Sequence, residues 1–227
     1  MSEQVVFGIV SRNDLACQVA LHRVLRFSKD PEVCQMVGVS CVATARNMLA
    51  SALVQRIEEW GTECDGCVVL LDDDVEVTPI DLMGITRMCM QSGHVIVGTY
   101  PIRDAEGAVS PDRRLAHRVG PDGAVYGGLG CVAIPIEVFL QVHRGEMSFT
   151  RYLVCVHPSL PDVAPVYQAT ALDGEWWTED LFFFRVLRDG GALTKLYPIV
   201  LRHAGRIADR SYRMLDDGVL PDELLTE

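Results

Sequence analysis

Short apolar runs alternate with amphipathic stretches along the first hundred residues of this chain. The apolar runs have the length of strands and cover residues 5–10, 36–42, 68–71 and 94–99. Helical patterns lie between them and open at Asn13 or Asp14, at Thr44, and at Pro79 behind a capping Thr78. This alternation predicts an α/β fold, with a mostly parallel sheet and helices on both faces.

The pattern changes after Tyr100-Pro101. Residues 103–127 are rich in glycine, proline and charge, and residues 144–174 contain no long periodic segment. Further elements are predicted as a strand over 131–134, a helix from 135 to about 142, a helix over 181–188 and a strand over 193–201. We therefore expect one domain over 1–227, with a nucleotide-binding half (1–101), a loop-rich acceptor and catalytic half (102–205) and a flexible tail (206–227).

Three consecutive carboxylates follow the third apolar run, in the sequence Leu71-Asp72-Asp73-Asp74. Open α/β sheets bind ligands at this end of their strands. If the strand continued, Asp72 and Asp74 would share one face. Two ionised carboxylates about 4 Å apart repel by roughly 4 kcal/mol at an effective dielectric of 20, unless a cation, a shared proton or water relieves them. Such hard oxygen ligands suit Mg²⁺ or Mn²⁺, whereas the ordinary alternative is a solvated acidic turn before a helix.

Other polar segments would meet the acidic stretch at the same edge of the sheet. They are Ser11-Arg12, residues 44–47, residues 177–180 and His203. Each also has an ordinary explanation. A lone arginine usually lies on the surface, a histidine at a strand end is usually structural, and an acid in the first turn of a helix is stabilised by the helix dipole.

Charge and cysteine content narrow the class of protein. The net charge of −11 and the pI near 5.0 argue against tight nonspecific binding of nucleic acid, without excluding a local basic patch. We expect a cytoplasmic protein, because the first residues show no secretory signal and no apolar run approaches the ~20 residues of a membrane span. The eight cysteines are then expected to be reduced thiols.

The ordered set of motifs resembles the nucleotide-sugar glycosyltransferases of the GT-A fold, close to the inverting family-2 type and to small members encoded by phages and bacteria. The matching segments are Ala45-Arg46-Asn47, Leu71-Asp72-Asp73-Asp74-Val75, Val97-Gly98-Thr99-Tyr100-Pro101, Gly128-Leu129-Gly130, Thr178-Glu179-Asp180-Leu181-Phe182-Phe183 and His203. The resemblance covers about residues 5–205 and implies a single Rossmann-like domain. Residues 103–174 match nothing firmly, and acceptor specificity is expected there.

The resemblance implies a site for a nucleoside-diphosphate sugar, most naturally a UDP-sugar. The Asp-x-Asp element would hold Mn²⁺ or Mg²⁺ against the diphosphate, with Asp74 as the direct ligand, Asp72 as a second ligand or a ribose contact, and His203 completing the shell. The remaining residues that the resemblance assigns to the nucleotide sugar are Arg12, Arg46, Asp73, Gly130 and Trp177.

The resemblance also implies an acceptor site. Asp180 would deprotonate the acceptor hydroxyl and Glu179 would support it, although an aspartate at a helix N-terminus tends towards a low pKa. For one of Trp176 and Trp177 we expect core packing rather than a sugar contact. A possible acceptor is a modified base in DNA or a glycan, met by the basic loop residues Arg103, Arg113, Arg114, His117 and Arg118, for which a solvated loop is the alternative.

Other functions remain open at the level of the sequence. The chain lacks the Gln/Arg-x-x-Arg-Trp element of processive synthases, and Arg206, Arg210 and Arg213 are a hypothetical lid over the phosphates. A retaining mechanism is compatible with the same fold. The alternatives from other classes are sugar-phosphate nucleotidyl transfer, which normally needs a richer glycine loop after the first strand, and a non-catalytic nucleotide-binding protein.

Overall fold

A computed structural model describes the chain at residues 4–11, 20–21, 24, 26, 31–39, 41–60, 65–101, 115–120, 123–147, 164–172, 174–203, 205–206 and 212–213, with side chains as far as residue 201. The helices are α1 (Val42–Trp60), α2 (Pro79–Ser92), α3 (Ile136–His143) and α4 (Glu179–Asp189). The strands are β1 (Gln4–Ser11), β2 (Glu32–Val37), β3 (Gly66–Asp72), β4 (Val75–Glu76), β5 (Val95–Thr99), β6 (His117–Val119), β7 (Val125–Gly127), β8 (Cys131–Pro135), β9 (Thr170–Leu172), β10 (Glu175–Trp177), β11 (Thr194–Val200), β12 (Arg202–His203), β13 (Gly205–Arg206) and β14 (Tyr212–Arg213).

Six strands form the central sheet in the order β11-β5-β8-β3-β1-β2. β1 is parallel to both β2 and β3, and β5 is parallel to β11. β8 lies between β3 and β5 and is antiparallel to both. The predicted mostly parallel sheet is therefore confirmed, and the fold is Rossmann-like. The insertion of β8 between two strands that are closer together in the sequence was not predicted.

Two apolar cores lie on opposite faces of this sheet, because successive strand residues point to opposite sides. One core contains the strand residues Val6, Val68, Val97 and Val132, packed on α1, α3 and α4. The other contains Phe7, Val69, Ile96 and Ala133, packed on α2 and on Ala20 and Val24. The predicted cover of helices on both faces is thus confirmed, and the strands are buried on both sides, as their continuous apolar runs predict.

The boundary between β2 and α1 differs from the one that the sequence predicts. The predicted strand over 36–42 is wrong: β2 ends at Val37 and α1 already begins at Val42. Gly38 has a φ of 78°, a conformation that suits glycine and ends the strand. Much of the predicted helix over 13–27 and of the tail over 206–227 lies outside the described residues.

Two further expectations from the sequence concern membrane spans and the oxidation state of the cysteines. No helix in the described part of the chain is long and apolar enough to cross a membrane. The described cysteines Cys34, Cys41, Cys89 and Cys131 are free thiols.

A reciprocal capping box starts α2. The Asp81 amide donates to the Thr78 hydroxyl at 3.2 Å, and the Thr78 amide donates to the Asp81 carboxylate at 3.1 Å. These bonds satisfy two of the amide groups that a helix N-terminus leaves without an internal partner. The predicted Thr78 cap and Pro79 start are confirmed.

Replacing this cap tests the local stability of α2. We expect Thr78→Ala to lower the free energy of unfolding by about 1 kcal/mol, as for other N-cap threonines. Thr178 is a matched control, because it is the N-cap of α4 but makes no side-chain cap bond. Urea denaturation should therefore show a smaller loss for Thr178→Ala. Equal losses in the two variants would contradict this interpretation.

Candidate active site

The predicted functional segments lie at one edge of the central sheet. β1, β3, β5 and β11 run in the same direction, so their carboxyl ends share this edge. Ser11 ends β1, Asp72 ends β3, Tyr100 follows β5, and β12 follows β11. The edge therefore brings together side chains that are far apart in the sequence, as ligand sites of α/β sheets do.

A buried arginine connects three carboxylates at this edge. Arg46, on α1, is 6% exposed, and its Nη2 donates to both oxygens of Asp72 at 3.1 and 2.8 Å. Its Nη1 donates to Asp180 at 2.5 Å and to Glu179 at 3.3 Å. The end of β3 and the start of α4 are thus joined through one guanidinium group, whose planar fork suits such two-sided binding.

Negative charge exceeds positive charge in this cluster. Burial would lower the pKa of Arg46, but Asp72, Asp180 and Glu179 together raise it, so the guanidinium stays charged. Burial raises the pKa of Asp72, as do the charges of Asp74 and Asp73, against the opposing effect of Arg46. One guanidinium therefore serves several carboxylates, and the remaining negative charge favours a cation.

Asp180 has an unusual environment for a carboxylate at a helix start. Burial raises its pKa to about 6, with contributions from Asp72 and Glu179 and against the opposing effects of Arg46 and the Leu129 amide. The expectation of a low pKa from the helix dipole is therefore wrong, because desolvation and neighbouring carboxylates outweigh the dipole. A carboxylate with this pKa is a better proton acceptor than an ordinary aspartate and is still ionised near neutral pH.

The acidic triplet turns at the end of β3 rather than continuing as a strand. Asp73 and Asp74 lie in a turn, so the two outer carboxylates do not share a strand face. The Ser11 hydroxyl, at the end of β1, donates to Asp73 at 2.5 Å. Asp73 is therefore held against the neighbouring strand, while Asp72 faces Arg46.

Gly130 directly precedes β8, the strand that pairs with β3 on the side opposite β1, and its backbone bonds Asp72. The Asp72 amide donates to the Gly130 carbonyl at 3.0 Å, and the Gly130 amide donates to the Tyr100 hydroxyl at 3.1 Å. A Cβ atom at Gly130 would lie 2.6 Å from that hydroxyl oxygen, a distance that real side chains do not adopt. Burial and nearby carboxylates, Asp72 foremost, raise the pKa of Tyr100, so the phenol stays protonated.

His203 lies on the short strand β12, which pairs with β4 immediately after the acidic triplet. The backbone of His203 is opposite Val75, and that of Arg202 is opposite Glu76. The main chain at His203 is thus brought next to the residue that follows Asp74. Arg12, one of the residues predicted to contact the nucleotide, lies outside the described residues.

The triplet can be tested against the requirements of a divalent cation. Among the described residues, no three His, Cys, Asp or Glu side chains are arranged to hold an ion by themselves. Mg²⁺ and Mn²⁺ do not require such a cage, because they are commonly bound by one or two carboxylates together with phosphate oxygens and water. The hard oxygen donors and the excess negative charge at Asp72 and Asp74 fit this kind of site.

Trp177 lies in a separate cleft beside the start of α4. Its side chain is 5% exposed, whereas Trp176 is 69% exposed. Trp177 packs on Tyr126, with ring centroids 6.2 Å apart, and lines a cleft of about 460 Å³ together with Arg118, Arg185 and Arg188. Trp177 is thus largely packed, as expected for one of the two tryptophans, and part of its side chain also lines the cleft.

The sequence did not predict the contacts that several residues of the edge and the cleft make in the structure. Arg46 was expected to contact the nucleotide, and its bonds to three carboxylates depend on tertiary packing. Tyr100 was noted only as part of a motif, although the glycines of Gly128-Leu129-Gly130 signal the close approach of another group. Arg185 and Arg188 have no local signal beyond their spacing of three on α4, which places them on neighbouring faces.

Comparisons with known proteins give a fold but no family. No protein-family model and no curated protein matches the chain. The structure is similar to A197 from STIV, with a TM-score of 0.54 and 16% identity over 96% of this chain and 97% of that one. This overlap shows a shared fold along nearly the whole of both chains.

Two further structures overlap with this chain less closely. One is 4-diphosphocytidyl-2C-methyl-D-erythritol synthase from Anaerococcus prevotii DSM 20548, with a TM-score of 0.44 and 6% identity over 95% of this chain and 94% of that one. The other is a glycosyltransferase involved in glycosylation of the major capsid of PBCV-1, with a TM-score of 0.30 and 13% identity over 65% of this chain and 71% of that one. Both scores are too low to show a common fold.

The bonds of Arg46 lead to a stability prediction. We expect Arg46→Met to lower the free energy of unfolding by about 3 kcal/mol, because it leaves three partly buried carboxylates without their countercharge. Arg56, on the same helix, is a matched control, since it also pairs with acids (Glu32 at 2.8 Å and Glu59 at 2.9 Å) but is 42% exposed. Chemical denaturation should show little change for Arg56→Met. Similar losses for both variants would contradict a special role of the buried cluster.

Proposed function

We propose that this protein is a metal-dependent glycosyltransferase that transfers a sugar from a nucleoside-diphosphate sugar, preferably a UDP-sugar, to an acceptor hydroxyl with inversion. One observation carries the proposal. Arg46 joins Asp72 of the acidic triplet to Glu179 and Asp180, so a candidate diphosphate site and a candidate base share one buried cluster. The similarity of the motifs to GT-A glycosyltransferases supports the same reading.

The donor would bind along the carboxyl edge of the sheet. Asp74 and Asp72 would hold Mn²⁺ or Mg²⁺ against the diphosphate, and His203, whose backbone pairs with Val75, would complete the site. When bound, the ion would supply Lewis-acid stabilisation of the leaving nucleoside diphosphate. Arg12, Asp73 and Gly130 would contact the nucleotide sugar.

Asp180 would act as the base on the acceptor side. Its carboxylate would accept the proton of the acceptor hydroxyl while that oxygen attacks the anomeric carbon from the face opposite the leaving diphosphate. Bonds from Arg46 and the Leu129 amide hold the carboxylate in position. Glu179 shares Arg46 with Asp180 and would help to keep that orientation. The raised pKa of Asp180, about 6, suits proton transfer near neutral pH.

Replacement of the base separates binding from transfer. We expect Asp180→Asn to keep its affinity for UDP-sugar but to lose transfer by about 10²-fold or more, the usual contribution of a general base. In the wild type, kcat/KM should rise with pH through about 6, because the ionised form of Asp180 is active. Steady-state assays with a panel of UDP-, GDP-, CMP- and TDP-sugars would measure both quantities.

The matched control is Glu137→Gln, which also removes a carboxylate from the first turn of a helix but lies on α3, outside the cluster. Its rate should equal that of the wild type. Full activity of Asp180→Asn would rule out the assignment of the base. Release of pyrophosphate from a nucleoside triphosphate and a sugar phosphate would instead favour nucleotidyl transfer.

Removal of the metal tests the acidic triplet. We expect EDTA to abolish transfer and added Mn²⁺ to restore it. Asp74→Asn should weaken the binding of UDP in Mn²⁺ but not in EDTA, because the lost carboxylate acts through the cation. Calorimetry of UDP binding under both conditions measures the difference. Equal affinity of the variant and the wild type in Mn²⁺ would exclude Asp74 as a ligand.

A further inference from the structure

The cleft that contains Trp177 is lined by residues that are close in sequence to the proposed base, Asp180. Trp177 ends β10, only two residues before Glu179, so the segment that lines the cleft runs directly into the proposed base. Arg185 and Arg188 lie five and eight residues after Asp180 on α4, which corresponds to about 7.5 and 12 Å along the helix axis. Residues that line the cleft therefore flank Asp180 on both sides in the sequence.

Three guanidinium groups surround two aromatic rings in this cleft. The Arg118 guanidinium carbon lies 5.2 Å from the centroid of Tyr126 and 5.6 Å from that of Trp177. Arg185 approaches Trp177 to 5.5 Å, and Arg188 donates to the Tyr126 hydroxyl at 2.8 Å. Cation–π contacts and this hydrogen bond hold the arginines beside one another.

The charge of the cleft is opposite to that of the whole chain. The residues that line it include three arginines, Arg118, Arg185 and Arg188, and one carboxylate, that of Glu175, while the chain carries a net charge of −11. Arg185 also bonds Asp189 at 2.6 Å. Guanidinium groups that line one cleft give it a more positive potential than the rest of this acidic chain, and such a potential favours an anion.

The indole of Trp177 adds a second observation. The side chain is 5% exposed, and its Nε1 has no hydrogen-bond partner among the described residues. A buried donor without a partner is unusual, because leaving it unsatisfied costs about 1–3 kcal/mol. Because this N–H has essentially no exposed surface, a ligand oxygen would bond it only after a neighbouring side chain of the cleft had moved.

We propose that this cleft binds the anionic group, a phosphate or carboxylate, of a glycan acceptor whose hydroxyl reaches Asp180. The proposal rests on the glycosyltransferase function proposed above and specifies its acceptor. The donor diphosphate belongs to Asp72 and Asp74 at the sheet edge, so the arginines of the cleft serve the other substrate. Bidentate guanidinium groups are well suited to phosphate and carboxylate oxygens.

The form of the cleft favours an anionic glycan over duplex DNA. A duplex is gripped by many phosphate contacts spread along a basic surface, whereas this site is compact and the chain as a whole is acidic. A cleft of about 460 Å³ accommodates one or two sugar units with one anionic group. The acceptor class is therefore defined by a local cluster rather than by an extended positive face.

Ligand binding can be measured without donor or metal, so a failure of the proposed transfer would not affect the result. The probes are glucose 6-phosphate, glucuronate and the neutral methyl glucoside, followed by the NMR signal of the Trp177 indole N–H, which Trp177→Phe identifies. We expect the two anionic probes to shift this signal and to bind more weakly as salt is added. Methyl glucoside should bind much more weakly.

Variants locate the binding to the arginines. Arg118→Gln and Arg188→Gln should each weaken the binding of glucose 6-phosphate about tenfold, the effect of losing a charge-assisted bond. Arg118 is exposed, so its replacement leaves the core intact. Arg144, whose exposed partner Glu58 lies at 3.0 Å, provides the control, and Arg144→Gln should bind like the wild type.

Several results would overturn the proposal. They include no binding of either anionic probe, equal binding of methyl glucoside, and unchanged affinity in both cleft variants. Loss of UDP affinity in Arg118→Gln would assign the cleft to the donor. Tighter competition by duplex DNA with hydroxymethylated bases than by the anionic sugars would assign it to nucleic acid.

Discussion

The buried guanidinium of Arg46 is the interaction on which the rest of this site depends. It is almost fully removed from solvent and bonded to Asp72, Glu179 and Asp180. Without it, three carboxylates from two distant segments would face one another in a poorly solvated space. A lysine could not replace it, because an ammonium group lacks the planar fork that binds carboxylates on two sides.

The position of Arg46 follows from the packing of α1. Arg46, Leu49, Ala50 and Leu53 are all buried, and their spacing of three and four residues forms one helix stripe. That stripe is apolar along the sheet and ends in the arginine at the carboxyl edge. The same burial that anchors the helix therefore delivers the charge to Asp72. Packing and electrostatics are coupled at this point rather than being separate features of the fold.

Local signals explain what the sequence could predict. The strand that ends at Asp72, the Thr78 cap and the helix that follows Thr178 depend on neighbouring residues, and each is present in the structure. The strand over 36–42 was misplaced, because the partly exposed edge strand β2 has a weak apolar pattern. All of the functional assignments of site residues, and the metal, remain predictions.

Contacts between distant segments were beyond such signals. No pattern in the sequence predicts that β8 lies between β3 and β5. Nor does any pattern predict that Arg46 bonds Asp180, 134 residues further along the chain. The raised pKa of Asp180 has the same origin, since burial and carboxylates from other elements outweigh the local helix dipole. The sequence did not predict a role for Tyr126 or Arg188, because the cleft they line is formed by segments that are about 50 residues or more apart in the sequence.

The sheet edge and the cleft carry opposite charge, which under the proposed function would sort two anionic substrates between them. At the sheet edge, carboxylates exceed their single guanidinium partner, so a diphosphate would be repelled there unless a cation came with it. In the cleft, arginines supply the positive charge directly. A donor that carries its metal and an acceptor that carries only its own negative charge would therefore sort to different sides of Asp180. Under the proposed function Asp180, which bonds Arg46 and follows Trp177 by three residues, would be the group that connects the two sites.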